Sequence, residues 1–202
     1  MTEPPQAGVA NLANALTVAR LFMVPVFTVL LLSARHDHAG LRYAATAVFV
    51  AASLTDRVDG AVARRRGTVT DFGKIADPIA DKALIGAALI CLSALSDLPW
   101  WVTIVTMVRE IAITLLRFWV IRRGVLAASR GGKVKTVLQA VAIGLYLLPL
   151  TGVFASARAY LMAIAVIVTL ATGVDYVARA VRLRRTPPRA QVRHHNSSAP
   201  AA

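Results

Sequence analysis

Residues 56–81 read DRVDGAVARRRGTVTDFGKIADPIAD, and this stretch decides how the chain folds. It sets Asp56, Asp59, Asp77 and Asp81 inside a sequence otherwise dominated by Ala, Val, Leu and Ile. Carboxylates at hydrophobic depth are expensive and persist mainly where they bind something positive. Asp56 and Asp59 stand at i, i+3 and Asp77 and Asp81 at i, i+4, so each pair shares one face of a helix. Two such helices side by side bring all four acids together. Without counter-ions they would repel or take up protons. Divalent cations are the remedy, and an all-oxygen ligand set favours magnesium, manganese or calcium over zinc.

The rest of the chain supplies the apolar setting. Of 202 residues 57% are hydrophobic and only 16% charged, and the mean hydropathy is +0.62. Those values fit one polytopic membrane domain better than a soluble core with a tail. Six stretches approach the roughly 20 residues that a bilayer demands: 14–33, 41–64, 75–96, 100–121, 134–152 and 159–181. The expected fold is therefore all-α, with six transmembrane helices. A short interfacial segment (1–13) precedes the membrane domain (14–183), and a disordered basic tail (184–202) follows it. Pro25 and Pro149 are placed inside spans, and Trp100 with Trp101 reads as an interfacial anchor. The single Cys91 excludes an intrachain disulfide. No basic n-region or small-residue cleavage site precedes the first apolar run, so no cleaved signal peptide is expected.

Charge orients the bundle. Arg64, Arg65, Arg66 and Lys74, then Arg122, Arg123, Arg130, Lys133 and Lys135, then the arginine-rich C-terminus fall on one side. Only Arg35, Arg42 and Arg158 are expected in loops on the other. The positive-inside rule then makes both termini and the aspartate-bearing boundary cytoplasmic, in a multi-pass plasma-membrane protein. The net charge of +13 suits anionic lipid; nucleic acid is not expected, because no basic stripe alternates with exposed aromatics. Gly60, one turn from Asp56, would let a phosphate or ribose approach, and Arg64 can hold a phosphate through two parallel hydrogen bonds.

The order Asp-x-x-Asp-Gly-x-x-Ala-Arg, eight residues, Gly-x-x-x-Asp-x-x-x-Asp resembles the signature of the CDP-alcohol phosphatidyltransferases, and every fixed position is filled. The resemblance implies a membrane enzyme that moves a phosphatidyl group from CDP-diacylglycerol to an alcohol. It implies that Asp56, Asp59 and Asp77 ligate two Mg2+ or Mn2+ ions. By the same resemblance Asp81 touches the second metal and takes the acceptor hydroxyl's proton. Gly60, Arg64 and Thr70 would contact the CDP-diacylglycerol head, and the chain would form a homodimer. For that dimer, Gly86, Ala87 and Ala88 offer a close helix contact.

The acceptor has to be read elsewhere. Arg109 and Arg117 lie near one face of the fourth span, and Lys133 and Lys135 open the fifth. Cations inside a span usually face a wet cavity, and a phosphorylated acceptor would suit them. The bland alternatives are that the lysines mark the membrane boundary and that Arg109 pairs with Asp97 or Glu110. The segments at 11–20, 77–82, 109–117 and 132–136 resemble the phosphatidylglycerophosphate synthase branch of the family, in an actinobacterial style. That branch implies sn-glycerol 3-phosphate as acceptor, with Arg109, Arg117, Lys133 and Lys135 gripping its phosphate. A cardiolipin synthase of the CDP-alcohol type, using phosphatidylglycerol, is the nearest competitor. A cation transporter is more remote, since no duplicated halves are visible, and a non-enzymatic scaffold leaves the aspartate spacing unexplained.

Asp81→Asn is expected to cut CMP release by about 10²-fold or more, the scale of a lost general base. It should keep CDP-diacylglycerol binding better than Asp56→Ala does. Equal loss of binding in both variants removes the special role of Asp81.

Overall fold

The computed structural model describes the backbone of residues 12–34, 38–66, 71–121 and 130–185. Side chains are described within these ranges except at 12–16, 56–66, 71–78, 81, 117–121, 130–131, 133 and 183–185. Six helices follow in order: α1 (Leu12–Ala34), α2 (Ala39–Arg66), α3 (Asp71–Ala94), α4 (Trp100–Ile121), α5 (Arg130–Leu147) and α6 (Val153–Arg185). No strand occurs among the described residues. The N-terminal segment and Thr70 lie outside them, as does the tail beyond Arg185.

Local chemistry explains where the helices stop. α3 ends at Ala94, where Ser96 takes a left-handed φ of 61° and the Asp97 and Leu98 N–H groups turn back to the Leu92 carbonyl at 2.9 and 3.2 Å. Proline at 99 follows directly, as is common beyond a helix end. α5 was expected to run through Pro149 to Gly152, but it ends at Leu147. Pro149 has no N–H to donate and disfavours helical backbone at Leu148. Gly152, at φ 60°, then starts α6 by accepting the Ala155 N–H at 3.1 Å. α6 consequently begins at Val153 rather than near Ala159, and Arg158 lies within it rather than in a loop. Pro25, by contrast, stays inside α1.

α1 packs on α2 and α3, α3 on α4, and α5 on α6, while α4 meets α6 and α2 meets α5. Phe27, Leu31, Phe49, Leu84, Leu92 and Ile143 anchor one contiguous core. The Phe27 and Phe49 rings tilt together at 5.8 Å. Gly86 belongs inside this packing: a Cβ there would sit 3.1 Å from the terminal methyl of Met107. Ala88 is fully buried as well. Gly86 and Ala88 are therefore spent on contacts within the chain, which corrects the expectation that they form a dimer seam.

Arg42 corrects a second expectation. Rather than sitting in a loop, it is buried in the first turns of α2. Its Nη2 donates to Asp97 Oδ2 at 2.7 Å and to the Tyr146 carbonyl at 3.1 Å, and its Nε to the Leu147 carbonyl at 3.2 Å. One guanidinium thus ties the start of α2, the α3–α4 turn and the end of α5 at one end of the bundle. The end of α2 and the starts of α3 and α5 are gathered at the other.

The exterior is apolar as well as the core, and several polar side chains are buried. Trp101, Ile104, Val108, Ile111 and Leu115 form an exposed stripe along α4, and α1 and α6 expose Phe22, Phe154, Tyr160 and Ile167. Thr17, Arg20, Ser93, Thr103, Thr106 and Gln139 are buried. Apolar surface on this scale marks contact with a membrane or with other proteins. Two helical segments, Thr17–Ala34 and Val153–Arg182, are long and apolar enough to cross a bilayer.

Asp97→Ala leaves the Arg42 guanidinium buried without its counter-ion. It should lower stability by about 3–5 kcal/mol, read as a fall in Tm by thermal unfolding in detergent. Arg42 lies at the end of the bundle away from the aspartates, so turnover per folded molecule should hold.

Candidate active site

α2 continues unbroken through Asp56, Asp59, Gly60 and Arg64, and α3 begins at Asp71 and carries Asp77 and Asp81. The i, i+3 and i, i+4 spacings therefore fall on real helix. α2 and α3 pack against each other, and both pairs lie toward the end of the bundle opposite Arg42. The side chains of Asp56, Asp59, Arg64, Asp71, Asp77 and Asp81 are not among those described, and neither are those of Arg117 on α4 and Lys133 on α5. Among the described residues no group of three or more His, Cys, Asp or Glu could hold a metal.

Three described cations sit beside that region, inside the bundle. Lys82 follows Asp81 directly and donates from Nζ to Thr114 Oγ1 on α4. Thr114 Oγ1 in turn donates to the Glu110 carbonyl at 2.7 Å, one turn earlier. The Glu110 carboxylate lies between two of the predicted acceptor residues. Arg109 Nη1 donates to its Oε1 at 2.9 Å, and Lys135 Nζ, from α5, donates to the same oxygen. Arg109 Nη2 reaches across to Thr172 Oγ1 on α6 at 2.8 Å. The Lys82–Thr114, Lys135–Glu110 and Arg109–Thr172 contacts cross between helices, so α3, α4, α5 and α6 are joined by one polar chain.

Burial gives that chain its electrostatic character. The Lys135 side chain is 7% exposed, Arg109 13% and Glu110 20%. Lys135 is thus interior to the bundle. Arg109 does pair with Glu110, whereas Asp97, the other partner considered, belongs to Arg42. The Arg109 pairing and the acceptor reading are compatible, because Glu110 gathers Arg109 and Lys135 on one carboxylate oxygen inside the bundle. Cations held inside an apolar bundle are suited to an anionic ligand.

Sequence reasoning passed over two other buried polar residues on these helices. Gln139 lies one turn from Lys135 on α5, and Thr169 one turn before Thr172 and Gly173 on α6. Both are buried. Gln139 Nε2, Thr169 Oγ1 and Arg109 Nε have no hydrogen-bond partner among the described residues. Each such orphan costs about 1–3 kcal/mol. The available signal was a polar residue one helical turn from a charged one within an apolar helix. That spacing does not say which helix faces which.

The sequence profile of the CDP-alcohol phosphatidyltransferases matches residues 10–171. The chain belongs to that family. Its matched region covers all four aspartates, Gly60, Arg64, Thr70, Arg109, Arg117, Lys133 and Lys135. Among similar proteins, one from Mycobacterium tuberculosis (strain H37Rv) named "Probable phosphatidylglycerophosphate synthase" is 56% identical over 177 residues, 88% of this chain and 85% of its own length. A Bacillus subtilis (strain 168) protein named CDP-diacylglycerol–glycerol-3-phosphate 3-phosphatidyltransferase is 41% identical over 149 residues, 68% of this chain and 77% of its own. An Escherichia coli K12 protein of the same name is 37% identical over 139 residues, 66% of this chain and 74% of its own. The Lys82–Thr114 and Lys135–Glu110 contacts thus lie within the part of the chain that defines this family of phosphatidyltransferases.

Glu110→Ala would deprive Arg109 of its ion pair and Lys135 of one of its contacts. It should cost about 3 kcal/mol or more in thermal unfolding. Glu110→Asp, a methylene shorter but still charged, should cost less.

Proposed function

We propose that this protein is an integral membrane phosphatidyltransferase that converts CDP-diacylglycerol and sn-glycerol 3-phosphate to phosphatidylglycerophosphate and CMP. Family membership supports the reaction class, and the names of its relatives support the acceptor. The observation that carries the acceptor is the buried pair of Arg109 and Lys135, held by one carboxylate a helix away from the aspartates. A phosphorylated acceptor suits a site lined by buried cations better than a neutral one does.

In this reading all six helices span the plasma membrane, both termini are cytoplasmic, and the reaction takes place at the cytoplasmic boundary. A water-soluble acceptor enters from that side while the lipid tails remain in the bilayer. Asp56, Asp59, Asp77 and Asp81 would hold two Mg2+ or Mn2+ ions. Four carboxylates on two packed helices form an all-oxygen donor set of the right charge for them. Bound there, the ions would supply charge neutralisation and Lewis-acid polarisation of the phosphoryl oxygens.

The chain's own residues do the rest. Gly60 leaves room for the nucleotide head beside α2, and Arg64 and Thr70 hold its phosphate and sugar. Arg109, Arg117, Lys133 and Lys135 grip the phosphate of the acceptor and aim its primary hydroxyl. That oxygen bonds to the phosphorus bearing diacylglycerol as the bond from this phosphorus to the CMP oxygen breaks. The hydroxyl proton passes to the Asp81 carboxylate, and CMP departs with the electron pair. The homodimer implied by the family would use a surface other than Gly86 and Ala88.

Purified protein given CDP-diacylglycerol, Mg2+ and radiolabelled glycerol 3-phosphate should form labelled phosphatidylglycerophosphate with CMP in equal amount. A chelator should abolish the reaction and added Mg2+ restore it. Cardiolipin formed from phosphatidylglycerol, with no product from glycerol 3-phosphate, would overturn the acceptor; no CMP release at all would overturn the reaction. Arg117→Ala should raise the KM for glycerol 3-phosphate about tenfold or more, the worth of one charge-assisted hydrogen bond. The KM for CDP-diacylglycerol should stay unchanged.

A further inference from the structure

Arg109 lies against α6 at a position where any side chain would intrude. A Cβ built on Gly173 would stand 3.1 Å from Arg109 Nε and 3.4 Å from its Cγ, inside the ~3.5–4.0 Å of relaxed contact. The guanidinium has little freedom to give way. Its Nη1 is tied to Glu110 at 2.9 Å and its Nη2 to Thr172 Oγ1 at 2.8 Å. Thr172 is itself fixed, since its hydroxyl donates to the Val168 carbonyl at 2.7 Å. A planar group held at two of its three nitrogens has a determined plane, and here the third nitrogen faces the bare backbone of Gly173.

That seat is not the one that best satisfies Arg109. Its Nε is buried without a partner among the described residues, and glycine within a helix is less favourable than alanine. Arginine satisfied only for stability would gain by rotating Nε toward an acceptor. An arrangement that forgoes that bond points to a role for the guanidinium's exact location.

We propose that Gly173 is a positioning residue for the acceptor, its missing side chain setting where Arg109 presents its charge. The inference rests on the reading of Arg109 as a group that grips the acceptor phosphate. Gly173 touches no substrate and acts only through the arginine.

Steady-state kinetics of full-length wild type, Gly173→Ala, Arg109→Ala and the double variant test it. Gly173→Ala should raise the KM for glycerol 3-phosphate roughly tenfold, the scale expected for a sub-ångström misplacement. Its kcat and its KM for CDP-diacylglycerol should each stay within about twofold of wild type, as expected for sites not coupled to the change. In the Arg109→Ala background the added methyl should change neither KM, because no guanidinium remains to be displaced. A purely structural role for Gly173 would lower Tm and disturb both substrates alike, and that result overturns the proposal. So does an equal rise in KM with and without Arg109. An unchanged KM in Gly173→Ala, with a raised one in Arg109→Ala, overturns the role of Gly173 and leaves the acceptor reading standing. An unchanged KM in Arg109→Ala removes the acceptor reading and the proposal with it. Should Gly173→Ala alone fail to fold, a folded double variant supports the contact with Arg109, and an unfolded one overturns it.

Discussion

Charge placed among apolar helices has to be answered by opposite charge or by hydrogen bonds, and the bundle does this in two layers. At one end Arg42 answers Asp97 and two backbone carbonyls that helix termini would otherwise leave open. Deeper along the bundle, Glu110 answers Arg109 and Lys135 together. The two layers differ in kind. The Arg42 layer balances one charge with one and closes an end. The Glu110 layer gathers two cations on one carboxylate oxygen and links α4 to α5 and α6. Breaking such a group is costly, while keeping it gains little over an apolar replacement.

The polar chain also gives mechanical meaning to the sequence Asp81-Lys82. Asp81 is a candidate metal ligand and base, and its neighbour Lys82 bonds to Thr114, which bonds back to the Glu110 carbonyl. The turn of α3 beside Asp81 is thereby coupled to the turn of α4 that carries Arg109 and Glu110. Two substrates must meet with their reacting atoms about 3 Å apart for transfer. In the proposed reaction a direct tie between α3 and α4 would hold that separation.

The apolar exterior follows from the same constraint seen from outside. A stripe such as Trp101, Ile104, Val108, Ile111 and Leu115 would be a liability in water. Against lipid it removes any drive to collapse inward, so helices meet through small residues, close packing and hydrogen bonds. Gly86 against Met107, Gly173 against Arg109, and Ser93 Oγ against Thr103 Oγ1 at 2.7 Å are contacts of that type.

By itself the sequence determined the helical class, the order of six helices and the family, because hydropathy, helical spacing and the aspartate signature are all local along the chain. Helix ends were less legible. Pro149 stops α5 and Gly152 restarts the chain, and whether a proline kinks or ends a helix depends on what its neighbours can satisfy. What only the tertiary structure decided was partnership: Arg42 rather than Arg109 for Asp97, Glu110 for both Arg109 and Lys135, and Gly86 for Met107 within the chain. Apart from Arg109–Glu110, neighbours on α4, each of these joins segments far apart in the chain, and the rotation of one helix about its axis is set by packing against the others. No spacing within a single helix encodes it.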